Sequence, residues 1–191
     1  MSILNPVLIK NNKMDIENKN YIEYKEIVSD LLKNDMVKEM KLYNHHYTST
    51  CYSHSLEVSY YSFCIAKKLK LDYKATARAG LLHDLFLYDW KTDKNHGRFH
   101  GFTHPKKALT NALKICKLSK KEKDIIIKHM WPLTPALPLY PESYVVTFVD
   151  KYCASRESYL YFKDWLKSIV LSKKLLRYGY IFLAINILRV I

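Results

Sequence analysis

Four glycines among 191 residues leave this chain few positions for the tight turns that join strands. Apolar side chains recur instead at three- and four-residue spacing, as in Tyr24, Ile27, Val28, Leu31, Leu32 and Met36, which is the period of a helix with one buried face. An all-α fold of helices joined by short connections follows. The length has room for one domain with a sizeable core, and two separate cores would be cramped.

Residues 1–20 are polar and rich in Asn and Lys after Ile9, and read as a loose arm. The domain proper is expected over 21–157. A helix is predicted from about His54 to Leu69, and a second, capped by Asp72, from Tyr73 to Leu87. The longest irregular segment runs from Asp89 to His104, after which Pro105 suits the first position of a helix capped by His104. Ser119 and Glu122 form a capping-box pattern. The helix they open carries His129 and must stop before Pro132. Pro141 opens another helix. Its β-branched run Tyr144–Val149 could pass for a strand, but Val145, Val146, Val149, Tyr152 and Cys153 fit one helical stripe, with Asp150 beside it. Residues 158–191 form a C-terminal extension of one or two helices with an apolar end, Tyr178 to Leu188, too short to cross a bilayer of roughly 20 residues' span.

Chemistry concentrates at the His83-Asp84 doublet. It follows Ala79-Gly80-Leu81-Leu82, a small, apolar run that should bury its helix. An imidazole and a carboxylate at the buried end of such a helix are costly without a partner. A divalent cation could be that partner, taking nitrogen from one and oxygen from the other. A self-satisfying His–Asp hydrogen bond is the other solution, and the doublet alone leaves both open.

With His54 before it and His104, His129 and Asp150 after it, the doublet resembles the HD superfamily of metal-dependent phosphohydrolases. The local strings that carry the resemblance are Cys51-Tyr-Ser-His54, Ala79-Gly-Leu-Leu-His83-Asp84-Leu, Gly101-Phe-Thr-His104-Pro, Lys128-His129-Met-Trp-Pro and Phe148-Val-Asp150-Lys-Tyr. They look like a small bacterial subfamily of unassigned substrate. The resemblance spans about residues 25 to 157 and implies a helical bundle around a metal site. It implies that His54, His83, Asp84 and Asp150 hold one metal and that Asp84, the residue at the centre of catalysis, bridges to a second completed by His104 and His129. Two cations roughly 3.5–4 Å apart can clamp a phosphoryl group and activate a bridging hydroxide. The mixed nitrogen–oxygen shell suits Fe, Mn, Co or Ni, with Mg and Zn admissible. The expected activity is hydrolysis of a phosphomonoester or phosphoanhydride, with nucleotides among the candidate substrates. A di-iron oxygenase branch of the fold is the less favoured alternative, because Leu85 stands where that branch resembles a further aspartate. A non-catalytic module binding a nucleotide or a partner is the other, disfavoured because every ligand position is filled by a competent residue.

Around this set, the 89–104 segment suggests a wall or lid, with Arg98 available to a phosphate. His46, Lys106, Lys128 and Lys151 are further candidates to meet substrate, and Glu57 is a candidate to orient the second nitrogen of His54. The net charge of +13 comes mostly from dispersed lysines. It would attract small anions but forms no block that would argue for nucleic acid. The C-terminal apolar segment is expected to pack on the domain or a partner, with peripheral membrane contact as the alternative. Cys51, Cys64, Cys116 and Cys153 show no paired spacing, so reduced thiols and a cytoplasmic setting are expected. The short apolar stretch in Met1–Lys10 is broken by Asn5 and Pro6 and does not read as a secretory signal.

Overall fold

The computed structural model describes residues 18–45, 49–90 and 99–188, the side chains of 171–188 excepted. Among the described residues all regular structure is helical: α1 over 18–27, α2 Ser29–Lys33, α3 Asp35–Glu39, α4 Cys51–Lys68, α5 Tyr73–Leu82, α6 His100–Ile115, α7 Lys120–Lys128 and α8 Pro141–Leu188. The all-α expectation holds.

Helices α4 and α5 form the centre, because Gly80 lets them touch. A Cβ on Gly80 would lie 3.0 Å from the Ser59 Cα, closer than packed backbones tolerate. Around that contact Phe63, Leu81 and Leu82 are fully buried, each contributing roughly 1.5–3 kcal/mol of burial. Helices α7 and α8 close the other side through Ile125, Ile126, Val146 and Cys153. The run Tyr144–Val149 is helical, since one stripe of it buries in this core while Phe148 faces out.

The caps expected at Asp72 and Ser119 are present: Asp72 accepts from the Ala75 N–H, and Ser119 and Glu122 form a reciprocal capping box. Helix α4 starts three residues before His54, with Thr50 as its cap and Ser53 returning the bond. It ends at Lys68, and the turn that follows carries Lys70, whose φ of 57° is a left-handed value usually left to glycine. The Leu71 and Lys70 N–H groups then close onto the Ala66 and Lys67 carbonyls, a Schellman ending.

Three expected boundaries move. The stripe beginning at Tyr24 breaks at Asn34, whose side chain caps a new helix by accepting from the Met36 N–H. The register shifts there, so that Val37 and Met40 bury in place of Met36. Helix α5 stops at Leu82, not Leu87. Helix α6 begins at His100, a turn before His104, and encloses Pro105. That extra turn is held by His100, which stacks between Trp90 and His104 and is hydrogen-bonded to the Tyr88 hydroxyl at 2.8 Å. Helix α8 crosses residue 157 without interruption, so the C-terminal extension begins within a helix roughly 70 Å long.

Candidate metal centre

The early end of α5 explains how two consecutive residues reach one point. On a helix, neighbours diverge by about 100°, so His83 and Asp84 could not both face inward. The chain instead tightens after Leu82: the Leu85 N–H bonds the Leu82 carbonyl and the Phe86 N–H bonds that of Asp84. Both side chains of the doublet are buried.

Each of four imidazoles is locked through the same nitrogen. His83 Nδ1 meets the Gly80 carbonyl at 2.7 Å, His104 Nδ1 that of His100 at 2.9 Å, and His129 Nδ1 that of Ile126 at 2.8 Å. His54 Nδ1 meets Glu157 Oε1 at 3.1 Å. A ring that donates from Nδ1 keeps its Nε2 lone pair for another partner, and all four Nε2 atoms converge. His54 Nε2 lies 3.0 Å and His83 Nε2 3.6 Å from Asp150 Oδ1. Asp84 faces two groups at once. Its Oδ2 is 3.1 Å from His45 Nε2 and 3.5 Å from His83 Nε2. Its Oδ1 is 3.2 Å from His104 Nε2 and 3.5 Å from His129 Nε2.

The electrostatics are those of a concentrated buried charge cluster. Burial alone would raise the Asp84 carboxyl, but the facing imidazoles of His83, His104 and His45 outweigh it and hold it well below the usual carboxylate range. Burial would also raise Asp150, which His54 and His83 hold down in the same way. Burial opposes a charge on His54, yet Asp150 and Glu157 carry its pKa up to about 9. Burial and the neighbouring His104 and His83 push His129 down to about 3, so it stays neutral.

These residues fit a cation. His83 Nε2 and Asp84 Oδ1 are buried atoms with no hydrogen-bond partner, which is costly for a polar group unless a ligand meets it. Ligand atoms of His54, His83 and Asp150 lie within 4.8 Å of one another, as do those of His83, Asp84 and His129. Hence His54, His83, Asp84 and Asp150 could hold one metal, and Asp84, His104 and His129 a second.

A family model for the HD domain matches residues 51–155. The chain is a member of the HD domain family. No curated protein and no solved structure matches it. The buried His/Asp cluster of this HD protein is compatible with the metal site of its family.

The cluster forms the floor of a cavity of about 640 Å³. Trp90, Phe99, His100, Met130 and Leu133 wall it, and Lys151 stands at its edge. The Lys151 ammonium donates to the His129 carbonyl at 2.8 Å and lies 3.9 Å from Asp150.

All six ligand positions expected from the sequence therefore come together, though from α4, the turn after α5, α6, the end of α7, and α8. The other expected site residues fare differently. His46 and Arg98, with residues 91–98 of the expected 89–104 wall or lid, lie outside the described residues. Lys106 is exposed beside a shallow groove with Phe86 and Thr110, because two residues beyond His104 a helix has turned away. Lys128 is drawn back one turn to Asp124 at 2.6 Å. Neither Lys106 nor Lys128 lines the cavity.

Glu57 does not orient His54. It is bonded to Arg156 instead, at 2.5 and 2.6 Å. The carboxylate behind His54 is Glu157, seven residues after Asp150 and so on the same face of α8. Two-turn spacing from Asp150 was the signal that could have found it. His45, neighbour of the favoured His46, is the imidazole that enters the centre. It stacks on His54 with ring centroids 3.7 Å apart, and the His45 backbone N–H donates to the Ser49 carbonyl at 2.9 Å.

Proposed function

We propose that this HD protein is a metal-dependent hydrolase of a phosphomonoester or phosphoanhydride, the nucleotides being one substrate class to test. The observation that carries the reading is the divided role of Asp84, one oxygen toward His83 and His45 and the other toward His104 and His129. A carboxylate so placed suits two cations sharing one ligand. Divalent cations bound there would supply Lewis acidity and lower the pKa of a coordinated water.

The chain's own residues provide the rest. Glu157 and the carbonyls of Gly80, His100 and Ile126 hold the four rings in one tautomer and one orientation, which preserves the centre between turnovers. Lys151 lines the cavity beside Asp150 and offers a cationic group to an anionic substrate. Trp90, Phe99 and Leu133 offer an apolar wall to the organic part of the substrate. Leu85 is fully buried in the core and brings no further carboxylate, which favours hydrolysis over the oxygenase alternative.

The test is elemental analysis of the purified protein alongside a panel of phosphate esters and nucleotides. Two equivalents of metal per chain with metal-dependent phosphate release is the expected result. Full metal loading with no turnover across the panel would count against hydrolysis and toward a binding module.

A further inference from the structure

The inward face of α8 ends with Cys153 and Glu157. Beyond it, over 159–170, most apolar residues are exposed: Tyr159 is 61%, Phe162 52% and Trp165 47% exposed, and Leu166 and Val170 are exposed as well. These side chains are not scattered. At about 100° per residue, Tyr161, Trp165, Phe162, Leu166, Tyr159 and Val170 fall on one side of the helix, spanning about half its circumference. Lys163, Asp164, Lys167 and Ser168 occupy the opposite side, interrupted within 159–170 by Leu160.

Width and charge together select the occupant. A second copy of the helix would need only the narrow seam of a coiled coil. Over 159–191 the chain also carries Lys163, Lys167, Lys173, Lys174, Arg177 and Arg189 against the single acid Asp164, so two such segments side by side repel. An anionic surface is complementary to both features. A half-circumference apolar arc of Tyr, Trp, Phe and Leu with lysines on the other face is the pattern of a helix lying in the plane of a lipid interface. Among the described residues no helix is long and apolar enough to cross a membrane.

We propose that residues 159–170 of α8 dock on an anionic lipid surface, the apolar arc sunk among the acyl chains and the lysines at the headgroup phosphates. The docking is independent of the reaction at the metal centre.

Flotation of the full-length chain with lipid vesicles tests it, using phosphatidylcholine alone or with about 30% phosphatidylserine. The chain should float with the anionic vesicles, bind neutral ones roughly tenfold less, and be released as salt rises. Trp165→Glu, and separately Lys163→Glu with Lys167→Glu, should each weaken anionic binding by about tenfold or more. Their circular dichroism should match the parent, since all three side chains are exposed. Absence of flotation with either lipid would overturn the proposal, as would undiminished binding by Trp165→Glu. A dimer that Trp165→Glu converts to monomer, with no lipid binding, would assign the face to a second copy instead.

Discussion

The Nε2 atoms of His104 and His129 lie 2.8 Å apart, while the Nδ1 of each ring is committed to a backbone carbonyl of its own segment. Two nitrogens so oriented present lone pairs to one another unless a proton or a cation lies between them. Asp84 Oδ1 faces both, and a cation would satisfy all three atoms.

Replacing Asp84 by Ala should therefore remove both metals and reduce phosphate release to background. Replacing His129 by Ala should lower the content of the second metal while largely sparing the first, which His54, His83, Asp84 and Asp150 would hold. Metal per chain, read by elemental analysis, decides this. Equal loss of both metals in the His129 variant would break the two-metal assignment.

Glu157 acts through His54. Removing a carboxylate behind a ligating imidazole typically costs about ten- to a hundredfold in metal affinity. Glu157→Ala should show a loss of that size, and Glu157→Gln, which keeps an acceptor for Nδ1, a smaller one. Glu57→Gln, which disturbs only the pair with Arg156, should leave metal affinity unchanged. Competition with a chelating dye measures all three.

Gly80 couples packing to chemistry. An added methyl would press on the Ser59 backbone at 3.0 Å, and overpacking of this kind costs about 1–3 kcal/mol. Gly80→Ala should lower stability by about that amount in urea unfolding. Because the Gly80 carbonyl anchors His83, metal affinity should fall as well.

Lys70 holds a left-handed conformation at φ 57°, which costs a residue bearing a Cβ roughly 1 kcal/mol. Lys70→Gly relieves that strain but gives the unfolded chain more freedom. A net gain of about 0.5 kcal/mol, or a rise in Tm of about 1–2 °C, is expected in thermal unfolding. A lower Tm would contradict it.

Asp124, in the middle of α7, ties that helix to the start of α8. It accepts from the Leu139 N–H at 2.9 Å and the Ser143 hydroxyl at 2.7 Å, and pairs with Lys128. Burial would raise its pKa, but these partners outweigh burial and hold it below the ordinary value. The unfolded chain then binds the proton more readily, so this stabilisation is present above about pH 4 and is lost as the pH falls through the folded value. Asp124→Asn should cost about 2 kcal/mol at neutral pH, and the gap to the parent should close in acid. Urea unfolding across a pH series reads it.

Legibility differed between residues for physical reasons. The His83-Asp84 doublet stood out because an imidazole and a carboxylate after an apolar run are expensive to bury, whereas His54, His104, His129 and Asp150 were picked out by the resemblance of their order along the chain to the HD superfamily. Asp150 was readable through the helical stripe of its neighbours. Glu157 was not, because it reaches His54 across more than half the chain, and the nearer Glu57 offered the same chemistry one turn away. Lys106 and Lys128 stand next to ligands in sequence, but adjacent residues on a helix point in different directions.

Composition and periodicity alone determined that the chain is helical, where several helices are capped, and which residue types must find partners in its interior. Those properties are local, set by side-chain chemistry over one or two turns. Only the tertiary structure decided that the chain tightens after Leu82 to aim both members of the doublet inward. It alone stacked His45 on His54, placed Glu157 behind that ring and left the apolar residues Tyr159, Phe162, Trp165 and Leu166 of α8 exposed. Each of these depends on which surfaces meet across the bundle, and local spacing does not encode that.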